Sequence, residues 1–295
     1  MSDKTIKAVC PSCGSSDCKL SFSKDGHSLF KCSLCSLGFV YPMPDIKALK
    51  KLYDEHSYHE EDRYDSLNIT SVVRKIWQVR LQITEDIGFK GAILDVGCAT
   101  GIFLNEAKQR GWEIQGLEVS DTAAVQAKRL LGDSAVRVED LTQFKPEKPF
   151  DVLSMWALIE HVTEPNKYLQ SANDCLKLGG LIMISTPSTD ALAAKWRGKA
   201  WRYYIPPYHL TYFNKKSLKV LLEKNGFEVI KWKSHFRHLA FFDRNAKISQ
   251  IYSSKKVFRM FVKFVMIPLK WYSDVTKSGD TLEVYAVKKS TTSIQ

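Results

Sequence analysis

No stretch of eighteen uncharged apolar residues occurs anywhere in the 295-residue chain, so a membrane-spanning helix is not expected. The opening Met1-Ser2-Asp3-Lys4-Thr5 has no apolar segment behind it, which argues against a secretory signal and for a cytoplasmic protein. Internal repeats and low-complexity tracts are absent. At 44% hydrophobic and 25% charged residues the composition is that of an ordinary globular protein, which sets disordered and fibrous classes aside. The length suggests about two domains.

Acidic residues are outnumbered, 32 against 43 Lys and Arg, and the deficit is local. Residues 191–289 hold 21 basic and 6 acidic side chains, while the rest of the chain holds 22 and 26. An anionic partner therefore meets the C-terminal third.

Cysteine is scarce beyond residue 35, since Cys10, Cys13, Cys18, Cys32 and Cys35 make up five of the seven. Without a signal peptide, a secreted disulfide framework is a poor reading. Two Cys-x-x-Cys pairs, Cys10/Cys13 and Cys32/Cys35, are separated by 18 residues, the spacing of two knuckles closing on one tetrahedral Zn2+. Gly14 suits the turn after the second thiolate, Ser36 stands where a second turn glycine is usual, and Cys18 is surplus. The residues between the knuckles read as a short hairpin around Asp25-Gly26. Residues 1–44 thus form a zinc ribbon whose metal is structural, because about 40 residues bury too little to fold alone.

Residues 45–90 read as a helical connector, with apolar periods at Ile46, Leu49, Leu52, Tyr53 and, over about Ser66 to Ile87, at Val72, Val73, Ile76, Val79, Leu81 and Ile83. From Ala92 onward strands and helices alternate, which implies a mostly parallel sheet with helices on both faces, a doubly wound α/β fold over 91–289. A long insertion at about 234–278 and a tail at 290–295 complete the chain.

The segment Leu94-Asp95-Val96-Gly97-Cys98-Ala99-Thr100-Gly101 ends the first strand of this region and opens its first helix, where such sheets bind ligands. A dinucleotide fingerprint needs glycine at 97, 99 and 102; here 99 is Ala and 102 is Ile, which points to a smaller nucleoside. Glu118, 23 positions after Asp95, ends the next strand and suits a ribose diol, with Val119 beside it. After the third strand, Asp140 suits an adenine amino group and Leu141 its ring.

These segments, together with Trp156, Ile159-Glu160-His161-Val162, Leu178-Gly179-Gly180, Ser185-Thr186-Pro187 and Pro207-Tyr208-His209-Leu210-Thr211-Tyr212-Phe213, resemble the class I S-adenosylmethionine-dependent methyltransferases. The nearest branch contains quinone O-methyltransferases and enzymes of bacterial glycan clusters, some with an N-terminal zinc ribbon. The resemblance implies a Rossmann-like sheet of seven strands, its final hairpin formed by Phe227–Trp232 and Leu282–Val287. It also implies S-adenosylmethionine held by Asp95, Gly97, Cys98, Ala99, Gly101, Glu118, Val119, Asp140, Leu141 and Trp156. Some quinone relatives complete a magnesium site with a Glu three residues before the Glu-His pair; that position is Ala157 here, which argues against a catalytic metal.

A hydroxyl acceptor needs a base near neutral pKa, and His161 and His209 occupy suitable places, Glu160 being placed to orient His161. Aromatic residues from Trp196 to Phe213 could wall an acceptor. The first expectation for that acceptor is a saccharide or lipid-phosphate-linked glycan; the alternatives are RNA and a quinone or other small molecule. The Asn/Asp-Pro-Pro-aromatic motif of base amino methylation is missing after the fourth strand, making nucleic acid the lesser partner. Finally, Lys255 to Tyr272 places Arg259, Lys263 and Lys270 within roughly 40° on a helical wheel. That narrow cationic stripe predicts an interfacial helix on an anionic membrane, kinked or ended by Pro268.

Overall fold

Asp25 and Gly26 both take positive φ, 49° and 78°, and fold strand β1 (Cys18–Lys24) back onto β2 (His27–Cys32), the hairpin that Asp-Gly predicts. The coordinates are a computed structural model, and the structure describes residues 8–45, 71–235, 267–276 and 278–289. Strand β3 (Gly38–Val40) adds to β2, and Ser36 takes the left-handed φ of 67° where a glycine is usual. The first predicted connector helix and most of the 234–278 insertion lie outside the described residues.

Helix α1 (Ser71–Asp86) follows. Its inward face differs from the predicted stripe: Leu81 and Thr84 are fully buried and Trp77 and Ile83 pack with them, whereas Ile76 and Val79 are each 45% exposed. Polar anchors rotate the helix. Thr84 Oγ1 meets Met183 Sδ of β8 at 3.0 Å, and Arg80 pairs with buried Glu283 of β11.

The alternating elements are then β4 (Ala92–Val96), α2 (Ile102–Gln109), β5 (Glu113–Leu117), α3 (Asp121–Leu131), β6 (Val136–Arg137), β7 (Phe150–Trp156), α4 (Pro165–Cys175) and β8 (Leu176–Pro187). Next come α5 (Leu192–Arg197), β9 (Thr211–Tyr212), α6 (Lys215–Lys224), β10 (Phe227–His235), α7 (Ile267–Thr276) and β11 (Thr281–Lys288). Seven strands form one sheet in the order β10-β11-β8-β7-β4-β5-β6; β11 runs antiparallel to both its neighbours. Ile93 and Leu94, like Val152 and Leu153, are fully buried and supply opposite faces of the sheet, so the central strands read as continuous apolar runs. No described helix is long and apolar enough to cross a membrane.

The ribbon shares its sheet with the rest of the chain. β9, from the segment after β8, pairs with β3 through Gly38↔Tyr212 and Phe39↔Thr211, giving a second sheet of order β1-β2-β3-β9. Cys10, Cys32, Cys35, Leu37 and Phe39 sit in the same apolar core as Phe213, Leu218 and Leu221. The first knuckle is clamped from outside as well, since Asn166 Nδ2 and Lys224 Nζ both donate to the Ser12 carbonyl, at 2.8 and 3.1 Å.

Of the segment Lys255 to Tyr272, in which the sequence expects a helix kinked or ended by Pro268, residues 255–266 lie outside the described residues, and α7 runs through Pro268 to Thr276.

Candidate active site

The turn from β4 into α2 is built on positive φ: Gly97 at 69°, Ala99 at 47° and Gly101 at 82°. A Cβ on Gly97 would lie 3.2 Å from Leu158, and one on Gly101 would lie 2.8 Å from Leu131, so both positions are closed to larger residues. Leu158 thereby joins the loop after β7 to the glycine turn. The Cys98 thiol lies under Gly116, where burial pushes its pKa up, so this residue faces the turn only through its backbone.

Asp95 is buried beneath the turn and accepts a 2.6 Å hydrogen bond from Ser154 Oγ; burial raises its pKa to about 7. That bond ties β4 to β7 just before the turn. Glu118 stands at the tip of β5. Its two carboxylate oxygens accept from the backbone N–H of Ala99 at 2.9 Å and of Ser120 at 2.8 Å. Burial raises the Glu118 pKa, while these backbone donors favour the carboxylate. Each oxygen retains a lone pair for a further donor such as a diol. Beside it Val119 is 63% exposed, an apolar side chain left uncovered at the site the sequence assigned to a nucleoside.

Asp140 Oδ1 accepts from Thr142 N at 2.9 Å and Thr142 Oγ1 at 2.6 Å, and Oδ2 accepts from the Tyr168 hydroxyl. Leu141 is buried behind it. Tyr168 escapes a sequence reading because it lies on α4, reached only through the fold. Trp156 packs tilted against Trp77 and edge to face against Phe103, at ring-centroid distances of 5.5 and 5.3 Å, and the Arg80 guanidinium lies 4.3 Å over its ring. The structure therefore ties Trp156 to α1.

At the end of β7 the three proposed proton-handling residues meet. Ligand atoms of Glu160, His161 and His209 all lie within 4.8 Å of one another, although His209 comes from a segment 48 positions away. The Glu160 carbonyl accepts from the N–H groups of Leu210 and Thr211, at 2.8 and 3.2 Å, which fixes the His209 segment against the Glu160 loop. The His161 and His209 rings meet edge to face at 4.8 Å, and Tyr203 lies parallel to His209 at 6.1 Å. His161 Nδ1 lies 2.8 Å from the Tyr208 carbonyl; because a carbonyl only accepts, Nδ1 carries the proton and Nε2 the lone pair. Burial lowers the His161 pKa to about 4 and, with His161 as a second cause, holds His209 well below its ordinary value.

Glu160 is 1% exposed, and neither carboxylate oxygen makes a close hydrogen bond among the described residues, the Thr186 hydroxyl facing it just beyond close hydrogen-bond geometry. Burial raises its pKa to about 7. A buried carboxyl without a close partner is costly and rare in native structures, and it calls for a proton or a cation nearby.

A second constellation lies in the ribbon. Cys10 Sγ and Cys35 Sγ are 3.5 Å apart, as are Cys13 Sγ and Cys32 Sγ, and all four sulfurs lie within 4.8 Å of one another. Tetrahedral Zn–S bonds of about 2.3 Å imply sulfur separations of roughly 3.8 Å, so the donor set fits zinc. Contact with Cys35 lowers the Cys10 pKa to about 5, the start of the deprotonation that a metal completes. Cys18 stays outside the set, donating weakly to the Ser15 carbonyl at 3.4 Å.

Residues 74–231, more than half of the chain, match a family described as a methyltransferase domain. A ubiquinone biosynthesis O-methyltransferase of Pseudomonas fluorescens is 28% identical over 137 residues, covering 44% of this chain and 56% of that protein. Another of Nitrosomonas europaea is 33% identical over 101 residues, covering 32% and 43%. The chain thus spans about half the length of the curated relatives it matches. Among solved structures, a 1,6-didemethyltoxoflavin-N1-methyltransferase of Burkholderia thailandensis aligns with TM-score 0.55 at 13% identity, covering 92% of this chain and all of that one. The magnesium protoporphyrin IX methyltransferase of Synechocystis aligns with TM-score 0.54 at 12% identity, covering 83% and 100%. At such identities these two structures bear on the fold.

Proposed function

The chain belongs to the methyltransferase domain family, and on that premise we propose that it methylates a hydroxyl oxygen of a phenol-type acceptor, with S-adenosylmethionine as donor and His161 or His209 as base. The observation that carries this reading is the convergence of Glu160, His161 and His209 at the end of β7, one loop away from the Gly97–Gly101 turn. The donor supplies a sulfonium methyl group, which leaves the chain to position the acceptor and accept its proton.

Glu118 and Asp140 suit the ribose and adenine groups, and Val119 offers apolar cover for the ring. Neutral His161 presents Nε2 to a hydroxyl proton, and Glu160 stands ready to compensate the imidazolium that results. A histidine whose pKa is depressed is a weak base, so an acceptor hydroxyl near pKa 10 suits it far better than an ordinary alcohol near 15. The relatives point the same way, being named for ubiquinone biosynthesis. The saccharide or lipid-linked glycan that the sequence suggested first draws no support from them. A structural zinc ion on Cys10, Cys13, Cys32 and Cys35 completes the reading, supported by the sulfur geometry.

The closeness of the ligand atoms of Glu160, His161 and His209 favours one second reading, a divalent cation held by the three. The histidines would then be ligands and not bases. Labelled methyl transfer to 3,4-dihydroxybenzoate, with glycolipid and RNA fractions in parallel, tests the acceptor class. Metal analysis separates the two readings of the cluster, one ion per chain supporting bases and two supporting the cation. For the base reading, His161→Ala or His209→Ala should lower turnover by roughly a hundredfold or more with cofactor affinity kept. Near-normal rates in both variants across pH 6 to 9 would overturn it.

A further inference from the structure

Cys18 is the cysteine of the ribbon that the metal site leaves over, and it stands beside a ligand. In the hairpin of β1 and β2 it lies directly opposite Cys32. The two do not exchange backbone hydrogen bonds. Cys18 N donates to the Ser16 carbonyl and Cys32 N to the Leu37 carbonyl, whereas one step outward Ser33 N donates to the Asp17 carbonyl. That pattern marks a non-hydrogen-bonded pair, the antiparallel position at which facing side chains come closest and Cα atoms are about 4.5 Å apart. Disulfides form at Cα separations of roughly 4.4 to 6.8 Å, so the backbone here fits one without moving. The Cys18 sulfur faces that of Cys32 just beyond close hydrogen-bond geometry.

The other pairings in the cluster are less available. Cys10 and Cys35 are 2% and 1% exposed, and with Cys13 and Cys32 they turn their sulfurs toward a common centre where a bound ion engages all four. Cys18 stays outside that set, is partly exposed, and meets only the Ser15 carbonyl, at 3.4 Å. Its thiol is therefore open to an oxidant while the four ligands are held.

Resting on the zinc reading given above, we propose that Cys18 and Cys32 are an oxidation site: a two-electron oxidant such as hydrogen peroxide joins them in a disulfide that withdraws Cys32 from the ion and releases it. Peroxide converts the Cys18 thiol to a sulfenic acid, and one water leaves. The Cys32 thiolate then attacks that sulfur, the S–S bond forms, and the oxygen departs as hydroxide, which takes up a proton to give the second water. Each sulfur gives up one electron, and the peroxide is reduced. Three thiolates remain where structural zinc takes four ligands. Because β3 of the ribbon pairs with β9, the loss reaches the strand that begins two residues after His209.

The full chain, reduced and loaded with zinc, is treated with stoichiometric hydrogen peroxide; a chelating dye reads the released zinc and mass spectrometry reads the disulfide. Wild type should lose two hydrogens in intact mass, yield a peptide linked through Cys18 and Cys32, and release one zinc for each disulfide formed. Dithiothreitol with added zinc should reverse both changes. Cys18→Ser and Cys18→Ala should keep their zinc and the wild-type melting temperature before treatment, and then release zinc on the order of tenfold more slowly. Release as fast from these variants as from wild type overturns the proposal, and so does a disulfide mapped to Cys10 and Cys35 or to Cys13 and Cys32. Zinc that stays bound after Cys18 and Cys32 have joined overturns it too, as does loss of zinc from the untreated variants, which would make Cys18 a ligand. A wild-type chain that binds no zinc overturns the zinc reading itself and the release with it, a failure seen before any peroxide is added.

Discussion

Gly38 of the ribbon lies directly opposite Tyr212, so close that a Cβ on residue 38 would stand 3.2 Å from the Tyr212 Cβ. Tyr212 in turn donates its hydroxyl to the His209 carbonyl at 2.8 Å. The strand that pairs with the ribbon therefore begins two residues after His209, so the cysteine knuckles and the histidine cluster are joined through β9.

Removing the metal should loosen more than the ribbon. Cys32→Ser is expected to abolish a stoichiometric zinc signal and to lower the melting temperature of the whole protein in one transition, because Cys32, Leu37 and Phe39 share a core with Leu218 and Leu221. Metal analysis and calorimetry check it; a separate low-temperature transition with an unchanged main melt would show the ribbon to be energetically independent.

Glu118→Ala should weaken S-adenosylmethionine binding by about 1.5 to 3 kcal/mol, the range for a charge-assisted hydrogen bond. Since Glu118 holds Ala99 and Ser120 with one oxygen each, Glu118→Gln, whose amide nitrogen cannot accept, should restore only one of the two turn contacts and only part of the affinity. Titration calorimetry decides, and equal affinity in all three proteins would remove Glu118 from the site.

The cluster at the end of β7 should leave a signature in stability against pH. Glu160, with its pKa raised to about 7, favours folding below its unfolded value near 4.5, and that contribution is lost as pH climbs through 7. His161, lowered to about 4, works in reverse: its contribution is present above 6.5 and is lost as pH falls toward 4. Between about pH 4.5 and 6.5 the two slopes oppose each other. Glu160→Gln should therefore stabilise the protein at pH 8, by on the order of 3 kcal/mol at most, and expose a fall in stability with acid that wild type conceals. Denaturant titrations across that range would show parallel curves if the carboxyl were in fact ionised by a resident cation.

Glu283 is held between Arg80 and His235. Burial pushes its pKa up, yet the Arg80 guanidinium and the contact with His235 outweigh burial and bring it to about 2. Arg80→Met strips the main partner from a carboxylate 1% exposed and should cost roughly 3 to 5 kcal/mol. Arg80→Met combined with Glu283→Gln should recover much of that loss in a urea melt; an unrecovered double variant would point to the Trp77 and Trp156 packing of Arg80 instead.

Local signals carried most of the architecture. Apolar runs and helical periods marked β4 to β8 and their helices, Asp25-Gly26 marked the ribbon hairpin, and Gly97 to Gly101 marked the tight turn from β4 into α2, because each of those features depends on a few neighbouring residues. The two cysteine pairs were legible for the same reason. Helix α1 was misread because its buried face is chosen by distant partners: Arg80 goes inward to meet Glu283, about two hundred positions later, and carries Trp77 with it. The pairing of β3 with β9 left no trace in either segment, three and two residues long, since a backbone ladder between such short strands is set by what packs around them. His161 and His209 could be nominated separately as candidate bases; that they share one site with buried Glu160 was decided by the fold alone, through the Glu160 carbonyl and the N–H groups of Leu210 and Thr211. Sequence thus determined the elements and the kinds of chemistry available, and tertiary structure decided which side chains meet, because long-range contacts are selected by burial and hydrogen-bond satisfaction over the whole molecule.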